Sequence, residues 1–148
     1  MKELKALGFA DLTLTKMIEL NIHGVTPTYI QELQSAGLKN ITLQQALEAK
    51  IHGLDAGSIK EIRALGFSDL SFEQVRNARI HGVDAVFIKG LKEEGLPNLT
   101  IEKAIEAKIH AIDGAFIQEA RKKGYHFASI DKYISYKIHN QALESLKE

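Results

Sequence analysis

The sequence predicts an all-α fold: an α-solenoid, or superhelix, of tandem helix-turn-helix pairs with about ten short helices. Three columns of residues predict it. Isoleucine followed by histidine recurs at Ile22-His23, Ile51-His52, Ile80-His81, Ile109-His110 and Ile138-His139, always at an interval of 29 residues. Glycine keeps the same interval at Gly8, Gly37, Gly66, Gly95 and Gly124. Ile30, Ile59, Ile88 and Ile117 form the third column, with Met1 one period before it and Leu146 one period after. A fixed period of this size marks a repeat whose units bury their apolar faces against neighbouring units.

One unit runs from Asp55 to Val83. Asp55 is an N-cap, its carboxylate placed to accept from the free amides of a first helical turn. Ile59, Ile62 and Leu65 follow at helical spacing, and Gly66 ends this helix as a left-handed cap. Phe67 comes next, where an apolar residue packs back on the last turn. Phe9, Leu38, Leu96 and Tyr125 hold the same place in the other units. Ser71 opens the second helix, in a hydroxyl column that reads Thr13, Thr42, Ser71, Thr100, Ser129. Phe72, Val75, Ala78 and Arg79-Ile80-His81 complete it, and Gly82 stops it. Each helix has about ten residues, shorter than the ~12–15 that an isolated helix needs in water, so its stability comes from stacking. Eight of the eleven glycines fall in the two stop columns, which makes glycine punctuation rather than a source of flexibility.

The frame predicts a single repeat domain, residues 1–148, of five 29-residue periods with half-helix ends. The last units drift: Ala111 replaces glycine, Asn140-Gln141 replaces Gly-Val, and His126-Phe127-Ala128 is atypical. Such drift is expected of capping units, and a cut from a longer array would begin mid-helix in the same way.

Composition narrows the function classes. Of 148 residues, 45% are hydrophobic and 26% charged, as in a folded water-soluble domain. Nineteen basic and nineteen acidic residues cancel, which disfavours a non-specific nucleic-acid binder. With no cysteine there is no disulfide scaffold, thiol nucleophile or thiolate metal site, and either an oxidising or a reducing compartment is compatible. No apolar run approaches the ~18 residues of a spanning helix, so no membrane insertion is expected, and the opening residues carry no signal-peptide pattern.

Three columns are candidates for function. The histidines suggest a metal ladder or a pH switch. However, packed helices lie about 8–10 Å apart, whereas zinc needs donors at about 2 Å. Metal binding is therefore not expected. The favoured role is structural: each histidine sits in the last turn of the second helix, against the negative end of its dipole and within reach of a free carbonyl. The second column, Asn21, Lys50, Arg79, Lys108, Lys137, is mostly basic. It would make a positive rail for phosphates or an acidic peptide. The favoured alternative is dipole compensation, with Glu19, Glu48 and Glu106 keeping the charge mixed. The third column, Tyr29, Phe87 and Phe116, is broken by Ser58. It is expected to be inter-repeat core, or, where exposed, a set of peptide anchors. Tyr29, Phe87, Phe116, Lys50, Arg79 and Lys108 are thus the candidate ligand-contact residues. No zincin, nucleophile-elbow, phosphate-loop or calcium-loop motif occurs, so no catalytic residue and no cofactor is expected.

The text Ile22-His23-Gly24-Val25-Thr26-Pro27, Tyr29-Ile30-Gln31-Glu32-Leu33, Gly37-Leu38, Ile41-Thr42 resembles short bacterial tandem helical repeats of the Ile-His-Gly-Val-Thr-Pro type. Such repeats are appended to membrane-bound zinc peptidases of the beta-lactam-sensor and antirepressor type. The resemblance covers essentially the whole chain and implies a helical interaction or sensor region outside a catalytic domain. None of the peptidase zinc motif is present, so it carries over no catalytic residue. The expected function is a non-enzymatic protein- or peptide-binding scaffold, its partner a protein or peptide. The alternative is a soluble sensor or regulatory region of such a peptidase, and nucleic-acid binding along the basic column is the least favoured. The compartment follows the function: cytoplasmic if free-standing, periplasmic if part of a membrane sensor.

Overall fold

The computed structural model describes residues 2–10 and 12–146, with side chains through residue 141. Among these residues it is all-α, with ten helices and no strand. They are α1 (Lys2–Ala6), α2 (Leu14–Ile22), α3 (Pro27–Ser35), α4 (Leu43–Ile51), α5 (Ala56–Ala64), α6 (Phe72–Ile80), α7 (Ala85–Glu93), α8 (Ile101–Ile109), α9 (Gly114–Lys122) and α10 (Ile130–Leu146). Odd-numbered helices are the A helices of the repeat and even-numbered ones the B helices; within each unit they form an A row and a B row.

Both rows start at the caps the sequence places. In the B row the hydroxyls of Thr13, Thr42, Ser71, Thr100 and Ser129 accept from the backbone N–H three residues on, at 3.0–3.3 Å. Gln45 returns the bond at Thr42, and Gln74 does so at Ser71, completing capping boxes. In the A row Thr26, Asp55, Asp84 and Asp113 do the same work at 2.7–3.1 Å. Pro27 occupies the first turn of α3, where its missing N–H costs nothing.

Helix ends close with the amide after the stop residue bonding back five positions. Val25 N–H reaches Leu20 O at 2.8 Å, Leu54 reaches Ala49 at 2.8 Å, and Ile112 reaches Ala107 at 2.7 Å. Phe9, Leu38 and Tyr125 make the same backbone bond in the A row. The stop residue needs a left-handed backbone, and Gly37 supplies it at φ +120°. A Cβ at Gly37 would also run into the Arg63 guanidinium. Ala111 takes φ +55° despite its side chain. It is held there by the buried Ile112 on one side and the Asp113 cap on the other.

The drift at Asn140 has the opposite outcome. The C-terminal half-helix expected beyond it is not a separate element, because α10 runs unbroken from Ile130 to Leu146. The cause lies in two columns together. Asn140 removes the glycine stop, and Ala142 stands where Thr26, Asp55, Asp84 and Asp113 cap the A row. With neither a stop nor a new start, the backbone keeps its helical bonds. Met1 and the side chain of Leu146, the outer members of the isoleucine column, lie outside the described residues.

The chain divides into two compact units, residues 1–80 and 81–148. In the first, α3 packs on α5, and Ile30, Leu33, Leu47 and Ile59 are buried to 2% exposure or less. The B row is stitched by Lys16 to Gln44 at 3.1 Å and by Arg76 to Glu48 at 3.0 Å. In the second, α7 packs on α9 and α8 on α10, over Ile88, Leu91, Ile112 and Ile117. Lys103 bridges to Asp131 at 2.8 Å, and that bond raises its pKa. The aliphatic core of the second unit gives way to rings at its end. Tyr133 is fully buried in a column otherwise filled by Met17, Ala46, Val75 and Ala104. Its ring meets Phe127 edge-on at 5.1 Å, and Tyr125 stacks 4.5 Å from Tyr136. No helix among the described residues is long and apolar enough to cross a membrane.

Candidate functional site

The basic column does not stand free as a rail. Lys50 Nζ lies 4.7 Å from the centre of the Tyr29 ring, Lys108 Nζ 4.9 Å from Phe87, and Lys137 Nζ 5.0 Å from Phe116. Each ring stands 21 residues before its base, on the A helix that precedes the base's B helix in the same repeat. Arg79 faces Ser58 in this register and turns elsewhere: its Nε donates to the carbonyl of His52 at 3.1 Å. Lys137 combines both contacts, donating to His110 O at 2.9 Å and Ala111 O at 3.2 Å. Arg79 and Lys137 therefore neutralise the C-terminal end of the preceding B helix, where the macrodipole is negative. The A row repeats the device at Arg121, which donates to Glu94 O at 2.7 Å and to its carboxylate at 2.8 Å.

Tyr29, Phe87 and Phe116 are consequently half-buried brackets between the A and B helices of a repeat. Tyr29 adds a hydrogen bond from its phenol to Leu54 O at 2.6 Å. Burial, reinforced by the Asp55 carboxylate, pushes its pKa up to about 12.

The histidines correct one detail of the sequence reading. His23, His52 and His110 are the C-cap residues of α2, α4 and α8, at the negative helix ends. The carbonyls of His52 and His110 are satisfied by Arg79 and Lys137 from the next unit rather than by an imidazole. All five side chains of the column face solvent. Among the described residues, no three His, Asp or Glu side chains gather as a metal-holding group.

The isoleucine before each histidine is the feature that sequence reasoning left unassigned. Ile22, Ile51 and Ile80 are 73%, 58% and 50% exposed in the first unit. Ile109 and Ile138 are 56% and 53% exposed in the second. Helical phase explains the position: each follows by two residues a core-side position filled by Leu20, Ala49, Ala78, Ala107 or Tyr136. Two residues turn the helix by about 200°, to its far side. That phase was available in the sequence.

Single exposed isoleucines are ordinary. Five at one helical phase are not, because neighbouring exposed columns change freely. The column before it reads Asn, Lys, Arg, Lys, Lys, and the one five residues further back reads Lys, Gln, Gln, Lys, Lys from Lys16 to Lys132. The Ile-His pair is held in all five copies, and within each unit it forms an apolar and imidazole edge, rimmed by bases committed to rings and carbonyls. An open hollow of about 380 Å³, bounded by Leu38, Ile41, Leu70 and Phe72, lies at the opposite ends of the B helices, beside the A–B turns.

No protein-family model, curated protein or solved structure matches this chain.

Proposed function

We propose that this chain is a non-enzymatic scaffold that binds an extended segment of a protein or peptide along its Ile-His edge. One observation carries the proposal: within each unit, isoleucines stand half or more exposed at the same turn of successive B helices. Burying such a side chain contributes about 1.5–3 kcal/mol, a gain left unrealised here until a partner covers it. Consecutive B helices lie about 8–10 Å apart. An extended chain rises about 3.1 Å per residue in the polyproline II form, so every third residue meets one step of the row. The partner is a segment with an apolar residue at every third position.

The remaining candidates support other readings less. Lys50, Lys108 and Lys137 are occupied by rings, which leaves a phosphate rail few free cations. The role of sensor or regulatory region of a membrane zinc peptidase rests on the repeat text alone. It would place the chain outside the cytoplasm, and an immunoblot of fractionated cells tests it.

Selection from a displayed random-peptide library tests the main proposal. Enriched peptides should carry apolar residues three apart and lose at least tenfold in affinity for Ile51→Ser/Ile80→Ser. Circular dichroism should show the variant folded as the parent. Peptides that bind parent and variant equally would overturn it.

A further inference from the structure

Each Ile-His pair presents an imidazole that folding leaves unused. His23, His52, His81, His110 and His139 are exposed, and none of their side chains holds a hydrogen bond or ion pair among the described residues. The acids around them are taken. Glu19 pairs with Lys16, Glu48 with Arg76 and Glu106 with Lys103. The carboxylates of Asp55, Asp84 and Asp113, three residues after a histidine, accept from backbone amides of the A helices they cap.

The groups that close on the imidazoles from the next B helix are all cations. Lys50 and Lys108 run beside the stop residues Gly24 and Gly82, and Arg79 beside Gly53. Lys137 does the same at Ala111. Between α8 and α10 this arrangement encloses an open hollow of about 300 Å³, lined by Ile109, His110, Lys137, Ile138 and the Gln141 amide. Two isoleucines make it apolar, and no carboxylate lines it among the described residues.

We infer that the segment bound along the Ile-His edge carries carboxylates beside its apolar residues, and that protonation of the imidazoles tightens its binding. The inference rests on the edge being the binding site. The ammonium of Lys137 is spent on two carbonyls and the Phe116 ring, which leaves the imidazole of His110 as the donor for a ligand in the hollow. A neutral imidazole offers a carboxylate one ordinary hydrogen bond, and a protonated one offers a charge-assisted bond roughly twice as strong. Imidazole changes its charge between about pH 5 and pH 8, whereas a glutamate side chain stays ionised down to about pH 4.3. Affinity for an acidic segment therefore rises as pH falls through the imidazole range, and binding takes up protons there. A basic segment would be repelled by the same change.

Two synthetic peptides test this, both with leucine at every third position, one with glutamate and the other with glutamine between. Calorimetric titration of the chain at about pH 5.5 and about pH 7.5 brackets the imidazole range. The glutamate peptide should bind at least tenfold more tightly at the lower pH, and the glutamine peptide equally at both. At about pH 6.5 the heat of glutamate-peptide binding should vary with the ionisation enthalpy of the buffer, the mark of proton uptake by the unmodified chain. Exchanging the whole column, His23→Gln, His52→Gln, His81→Gln, His110→Gln and His139→Gln, should abolish the pH response and leave the glutamine peptide's affinity unchanged. A glutamate peptide that binds without pH dependence or proton uptake, or a response that survives the five exchanges, would overturn the inference and leave the edge as a binding site. Failure of both peptides to bind would overturn the reading of the edge and this inference with it.

Discussion

The ammonium of Lys50 lies 4.7 Å from the centre of the Tyr29 ring, tying α4 to α3 within one repeat. The pairing recurs at Lys108 with Phe87 and at Lys137 with Phe116. Where the ring becomes Ser58, the base becomes Arg79 and donates to a carbonyl instead. The two columns thus change together inside one chain. A ring offers a cation its π-face, for which lysine suffices, while guanidinium offers directional N–H donors where no ring is present. Replacing Lys108 by Met should lower stability by about 0.5–1 kcal/mol, as for an exposed cation–π contact. Ser58→Phe and Arg79→Lys should each destabilise, and together recover part of the loss. Urea unfolding of the three variants gives the coupling, and additive effects would show the columns independent.

Tyr29 gives a pH dependence with a defined sign. Its folded pKa stands at about 12, above the ordinary value of 10. The unfolded chain therefore releases this proton first as pH rises, which favours unfolding. The stabilisation is complete below pH 10 and is lost as pH climbs through about 12. Tyr29→Phe should remove that component from the alkaline stability curve. At neutral pH it should cost about 1 kcal/mol for the lost bond to Leu54. The difference in tyrosinate absorbance between parent and variant should titrate near 12.

Ala111 holds a left-handed backbone that glycine adopts without strain. Ala111→Gly should therefore stabilise the protein by about 1 kcal/mol, the strain relieved being roughly 1–2 kcal/mol. A lower melting temperature for the variant would show that Ala111 contributes contacts outweighing its strain.

The exposed isoleucines should be dispensable for folding. Ile51→Ser and Ile80→Ser are each expected to change stability by no more than about 0.5 kcal/mol. Ile59→Ala, at a 1% exposed site in the same unit, should cost about 2–5 kcal/mol. Denaturant midpoints compare them directly, and an equal loss at Ile51 would make it a core residue.

Most of the local structure was legible because it depends on neighbours within four residues. The hydroxyl caps at Thr13 through Ser129 and the glycine stops turn on which backbone groups a nearby side chain can satisfy, whereas the read-through at Asn140 with Ala142 replaced the half-helix expected there. The partners of the bases were not legible in that way. From sequence, Lys50 and Arg79 complement their own helix ends. In the fold Lys50 reaches the A helix of its own repeat and Arg79 the end of the B helix before, because packing brings residues 21 to 27 positions away within reach. The aromatic column fell on the structural side for the same reason, its rings being taken up between A and B helices.

The sequence by itself determined the all-helical class, the 29-residue period and where nearly every helix begins and ends, since caps and stops are short-range backbone chemistry. Only the tertiary structure decided what each base reaches. Lys50 and Arg79 share one column, yet one lies against the Tyr29 ring and the other donates to the His52 carbonyl. That choice depends on which group a neighbouring helix brings to the base, and no residue carries that information alone.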